Sequence, residues 1–189
     1  MPFFKSLSEG SGPANVFTAY PEIYRLWSEM SQALMNGPSP LSQGERELIL
    51  AYAAGVAGCK FVYGAHSEVA YAWGIECGLL DQMLDDFETA PVSQRLKSLL
   101  AFVRKLMLSP GEMTKTDADA VFEAGWEERA LHDAIAVTAR AAFMQRLVEG
   151  HGFSPMSREL AAKRAKQRVE RGYVNLYPAF RNKAGEKAP

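Results

Sequence analysis

Proline and glycine stops recur along this chain at short intervals, and between them apolar residues fall at helical spacing, with no strand-like alternation. That pattern restricts the fold to an all-α arrangement of about seven to nine helices. Pro21 breaks a first helix that begins near Ala14, and is tolerated in the opening turn of the next, which runs to about Met35 before Asn36-Gly37-Pro38. Ser42 with Glu45 reads as a capping box for a third helix, about 42 to 56. Gly55 and Gly58 separate it from a fourth, about 59 to 76, closed by Gly78. A short helix from Leu79 to Asp85 leads to Pro91, and Ser93 opens another that reaches about Leu108. Thr116 with Asp119 is expected to cap a short helix ending at Ala124, and a long helix, about 127 to 149, follows Gly125.

Three segments result. Residues 1–13, rich in Gly, Ser and Pro, read as a flexible arm; residues 14–153 read as one helical domain. Residues 154–189 supply a basic amphipathic helix and an aromatic tail with Tyr173, Tyr177 and Phe180, expected to lie on a partner subunit. The chain has 189 residues, 48% of them hydrophobic, enough for one core. A net charge of −1 gives no general attraction to nucleic acid or to a membrane surface. The basic run from Arg158 to Arg168 carries interspersed glutamate and little aromatic content, which fits a solvated face or a packing arm better than nucleic-acid binding. The longest nearly apolar run, Leu48 to Gly58, is shorter than the about 20 residues that cross a bilayer. MPFFKSLSEG lacks the features of a signal peptide, and two cysteines make no disulfide framework, so a reducing cytoplasmic location is expected. His132 and Asp133 lack further ligands at helical spacing, and no metal site is expected.

The chemistry-bearing residues concentrate between Ser42 and Ala70, where Glu47, Cys59 and His66 stand on two consecutive helices. An acid, a thiol and an imidazole suit a redox or an acid–base site. Cys59 and His66 share one helix face but are displaced by roughly 10 Å along it, too far for a direct hydrogen bond of about 3 Å. Position 62 is the natural neighbour of both, and Val62 neither ionises nor hydrogen-bonds. Cys77 would lie roughly 27 Å from Cys59 along a continuous helix, out of reach as a resolving thiol. Each candidate has a plainer alternative: Cys59 as a small buried residue, His66 as a satisfied structural imidazole, Glu47 as a solvent-facing carboxylate. Tyr52 and Tyr63 read as core or interface aromatics whose hydroxyls could line a pocket.

In register, Glu47, Cys59 and His66 match a glutamate, eleven residues, then Cys-x-x-Cys-x-x-x-His, with Val62 on the second cysteine. Glu45-Arg46-Glu47 and Gly64-Ala65-His66 agree with the flanks. Further along, Leu99-Leu100-Ala101-Phe102, Leu106 with Ser109-Pro110, Glu123-Ala124-Gly125-Trp126 and Phe143-Met144-Gln145-Arg146 fall in the same order. Over about residues 20 to 153 the chain thus resembles the alkylhydroperoxidase D-like and carboxymuconolactone decarboxylase superfamily, in its peroxidase-related branch.

The resemblance implies an alkylhydroperoxidase D-like helical fold assembled as a homo-oligomer, with no metal or organic cofactor. It also implies a small-molecule hydroperoxide as substrate, attacked by the second motif cysteine and resolved by the first, the position of Cys59, with His66 and Glu47 relaying protons. With the second cysteine absent, Cys59 is the remaining candidate nucleophile, its sulfenate reduced by an external thiol. Val62 departs from the pattern at the cysteine nearer the histidine, which leaves at most a one-cysteine peroxidase. The alternatives are a cofactor-free decarboxylase-like or lactone-processing enzyme acting on a carboxylate substrate through Glu47 and His66, or a non-catalytic oligomer of the same fold.

Overall fold

In the computed structural model, residues 1–177 and Phe180 are described. The rest of the tail, included in the expected segment 154–189, lies outside the described residues. Those described form nine α-helices: α1 (Pro13–Ala19), α2 (Pro21–Asn36), α3 (Gln43–Val56), α4 (Lys60–Ala72), α5 (Leu79–Asp85), α6 (Gln94–Leu108), α7 (Lys115–Glu123), α8 (Glu128–Gly150) and α9 (Arg158–Arg171). No strand occurs among them, as the periodicity requires.

The caps are mostly those legible in the sequence. Ser42 Oγ accepts from Glu45 N–H at 3.2 Å while the Glu45 carboxylate accepts from Ser42 N–H at 2.8 Å, closing the box at the start of α3. Ser93 and Ser157 cap α6 and α9 from one side only, their side chains accepting from the Leu96 and Leu160 N–H. Two boundaries differ from expectation. The cap of α7 is Thr114 with Asp117 rather than Thr116 with Asp119, because Asp117 also holds Lys105 of α6 at 2.7 Å and so fixes the earlier register. α4 ends at Ala72, short of residue 76, where Trp73-Gly74 turns the chain and their amide hydrogens close back onto Ala70 and Tyr71.

α3 is the centre of the molecule. Leu48 through Ala54 are wholly removed from solvent, so this helix is apolar on every side and packs on α4, α5, α6 and α8. A charge placed near its start is carried inside with it. Arg46 and Glu47 are both buried, and each must find partners there. Arg46 donates to the carbonyls of Leu34 at 2.8 Å and Gly37 at 2.9 Å, and so ties the α2–α3 connection to the core.

The turn into α4 is fixed by Gly58, whose φ of +74° is open to glycine at little cost. Cys59 N–H reaches back to the Ala54 carbonyl at 2.9 Å, and Cys59 becomes the N-cap of α4. α4 packs on α3 and on α9. The basic α9 thus lies on the chemistry-bearing helix of its own chain, inserting Ala161 and Ala165. The amino-terminal arm is tied to the end of α8: Phe3 N–H donates to the His151 carbonyl at 2.9 Å and Phe4 stacks on the His151 ring. Among the described residues no helix is long and apolar enough to cross a membrane.

Candidate functional site

His66 lies on α4, one turn beyond Val62, and its ring turns toward α3. His66 Nδ1 and Glu47 Oε2 are 2.7 Å apart, and both residues are at most 4% exposed. The other carboxylate oxygen accepts a hydrogen bond from the Tyr173 hydroxyl at 2.5 Å. Arg168 of α9 places Nη1 3.2 Å from His66 Nε2. A guanidinium has no acceptor, so this contact requires a lone pair on Nε2. The proton of a neutral ring is therefore on Nδ1, donated to Glu47, while Nε2 is unprotonated and accepts from Arg168.

The electrostatics agree with that tautomer. Burial works against the Glu47 carboxylate, but His66, Arg168 and the Tyr173 hydroxyl outweigh it and hold its pKa below the usual range. Burial lowers His66 to about 4; Glu47 opposes the shift, and Arg168 and Arg140 add to it. Burial and the neighbouring carboxylate push Tyr173 up, so its hydroxyl stays a neutral donor. At neutral pH the cluster holds an ionised Glu47 and a neutral His66.

Tyr173 reaches Glu47 because Gly172 follows α9 directly. Gly172 has φ +69°, and any Cβ there would collide with Gln32 Oε1. That same oxygen accepts the Tyr173 N–H at 2.7 Å, which anchors the turn to α2.

A cavity of about 330 Å³ opens on this cluster. α4 contributes Val62, Ala65, His66 and Val69; α1 and α2 contribute Phe17, Trp27 and Ser31; α8 contributes Arg140 and Met144; α9 and the following turn contribute Arg164, Arg168, Tyr173 and Tyr177. The chamber combines apolar side chains with arginines, one of which holds the unprotonated imidazole nitrogen.

The structure brings together Glu47, His66 and Val62 of the residues singled out in the sequence. Cys59 lies off the cavity that His66 and Val62 line. It is 1% exposed, caps the start of α4 and is not among the residues lining the cavity. Burial pushes its thiol up to about 11; the amides of Val62 and Phe61 favour the thiolate, while the Glu149 carboxylate opposes it. Cys77 is exposed and unpaired. Tyr52 stacks on Phe87 within the core, with ring centroids 5.6 Å apart. Tyr63 faces away from the cavity and donates to Asp81, where burial and that carboxylate raise its pKa. Asp133 is structural, accepting from Ser39 at 2.6 Å and Arg129 at 2.9 Å. Among the described residues no three His, Cys, Asp or Glu side chains gather as a metal site would need.

Three members of the site were not singled out from the sequence: Arg140, Arg168 and Tyr173. A signal existed for the first two. Arg168 continues the buried stripe of Ala161 and Ala165 at helical spacing, and Arg140 shares a face with the buried Val137 and Met144.

The same arrangement of helices occurs in solved structures. An uncharacterized peroxidase-related protein from Silicibacter sp. TM1040 superposes with a TM-score of 0.69, at 24% identity over 76% of each chain. The alkylhydroperoxidase AhpD core structure of an uncharacterized peroxidase-related protein from Ralstonia eutropha JMP134 superposes with a TM-score of 0.70, at 23% identity over 78% of this chain and 79% of that one. The fold is that of the AhpD core. No protein-family model and no curated protein matches the sequence. The AhpD-like fold thus accounts for the packing of α3 on α4, while the chemistry rests on the side chains themselves.

Proposed function

We propose that this protein is a cofactor-free acid–base enzyme, in which His66 Nε2 moves a proton on a small substrate and Glu47 orients and stabilises the imidazole. The observation that carries this reading is the 2.7 Å contact between Glu47 and His66 at the wall of a cavity that Cys59 does not line. A neutral imidazole with its proton directed to a carboxylate is poised as a base. When bound substrate draws the Arg168 N–H from Nε2 onto its own carbonyl oxygen, the freed lone pair takes a proton from the carbon beside that carbonyl. The C–H electron pair passes into an enolate, whose oxygen is stabilised by the Arg168 guanidinium, and the imidazolium formed is stabilised by Glu47. Return of the proton from Nε2 to carbon completes the cycle without any external oxidant or reductant. This corresponds to the decarboxylase-like and lactone-processing side of the superfamily.

A second reading, a one-cysteine hydroperoxide reductase acting through Cys59, is favoured by the description of both structural neighbours as peroxidase-related. It requires a buried thiol with a pKa of about 11 to meet peroxide.

Proton exchange into solvent deuterium, followed by NMR over a panel of oxo acids and unsaturated lactones, tests the first reading. Exchange that is lost in His66→Ala and kept in Cys59→Ser supports it. Thiol-dependent turnover of cumene hydroperoxide that vanishes in Cys59→Ser, with no exchange on any panel member, overturns it in favour of the second.

A further inference from the structure

Arg140 has a donor to spare. It is 4% exposed, its Nε–H is used by Ser31 Oγ at 3.1 Å, and its Nη1 has no hydrogen-bond partner. The guanidinium lines the cavity and lies over the Tyr173 ring, 4.7 Å from its centroid. Buried guanidinium groups normally use their donors, as Arg46 does on the carbonyls of Leu34 and Gly37. A charged donor left idle in a closed site is costly unless something else completes it.

The charge balance points the same way. Two guanidinium groups act on the cluster, Arg168 beside His66 and Arg140 over Tyr173, against the single carboxylate of Glu47, while His66 is neutral and Tyr173 is kept protonated. Among the described residues neither arginine takes part in an ion pair. Counted over the described residues, the chamber carries one uncompensated positive charge, and Arg164, exposed at its margin, adds to the field felt by an approaching anion. Phe17, Trp27, Phe61 and Met144 supply an apolar part of the wall, beside the hydroxyl-bearing Ser28 and Ser31.

We propose that the cavity binds a small organic monocarboxylate with an apolar body, its head group on the idle Arg140 donor and on Arg168, its body along Trp27 and Met144. A singly charged head neutralises the site, and the planar carboxylate matches the guanidinium fork. A neutral hydroperoxide leaves the charge uncompensated, and a bare inorganic anion leaves the apolar wall unfilled. The volume falls at the small end of ligand pockets, which range over about 300–1,000 Å³. This deepens the acid–base reading by naming the class of molecule brought to Nε2, and it rests on that reading only for what happens after binding.

Calorimetric titration of the full chain with octanoate, 1-octanol and inorganic phosphate tests it. Octanoate is expected to bind at least about tenfold more tightly than either control. Arg140→Gln is expected to remove that preference by weakening octanoate at least about tenfold while leaving octanol unchanged. Octanoate no tighter than octanol, phosphate as tight as octanoate, or a folded Arg140→Gln protein that binds octanoate like the wild type would each overturn the proposal. Should Arg140→Gln fail to fold, the comparison of octanoate with octanol on the wild type decides alone. Octanoate binding to a protein with no proton exchange on any substrate would leave this proposal standing and remove the acid–base reading.

Discussion

The two ends of α4 face opposite circumstances. At its start, Cys59 sits where a helix amino terminus favours an anion, yet burial and the Glu149 carboxylate keep the thiol protonated, with a pKa of about 11. Two turns on, His66 is also buried, at 4% exposed, but there the neighbours are a carboxylate, a phenol and two guanidinium groups beside open space. Both side chains are shielded from bulk water; only one is shielded in company that could use its protons. The lesson is that motif register places residues along a helix, whereas reactivity depends on which side of the helix the chain later covers.

The contrast can be broken most severely at the imidazole. His66→Ala is expected to lower proton-exchange rates by about 10²–10⁴-fold, measured as kcat on the best substrate of the panel, the range usual for a general base. The next effect is on stability against pH. His66 has a folded pKa depressed from 6.5 to about 4, so between those values the unfolded chain binds the extra proton. Stability is then full above about pH 6.5 and falls as pH drops toward 4, by on the order of 3 kcal/mol at most. Glu47, whose pKa is also depressed, adds a loss in the same direction as pH falls below its ordinary value of 4.5. Urea melts from pH 7 to pH 4 on wild type and His66→Gln check this: the variant should show the shallower slope.

Removing the phenol sharpens the comparison further. Tyr173→Phe takes away a hydrogen bond to an ionised group and is expected to cost about 1.5–3 kcal/mol in chemical denaturation. It should also raise the Glu47 pKa, moving acid unfolding to higher pH. Moving the thiol asks the question from the other side. Val62→Cys places sulfur on the cavity wall one turn before His66, and peptide-level mass spectrometry after brief peroxide exposure should find Cys at 62 oxidised at least about tenfold faster than Cys59. Exposed Cys77 is the internal reference. The smallest effect is expected at the native thiol: Cys59→Ala should change exchange rates by less than about twofold, because the side chain does not line the cavity.

Much of this architecture was legible before any coordinate. The stops at Pro21, Gly37-Pro38, Gly58 and Gly125 sit where helices part, because each acts locally through backbone geometry. Glu47 and His66 belong to one motif, and they meet because two sequential helices joined by a tight Gly58 turn have few ways to pack. The depth of Cys59 was not legible, since the same residue at a helix start can face a cavity or the end of α8. Arg140, Arg168 and Tyr173 escaped for a related reason: their meeting with Glu47 and His66 depends on where α8 and α9 dock, and Tyr173 is 126 residues from its partner. Thr114 and Thr116 illustrate local ambiguity, as both begin a plausible box and a contact from α6 selects between them.

That long separation has a consequence for how the molecule matures. Glu47 emerges early in synthesis and is drawn into the central helix, but the phenol that satisfies one of its oxygens is made far later. Until α9 docks and Gly172 swings Tyr173 inward, the half-built chamber holds an ionised group with an empty side. The cluster around Glu47 is therefore complete only when α9, synthesised late in the chain, is in place.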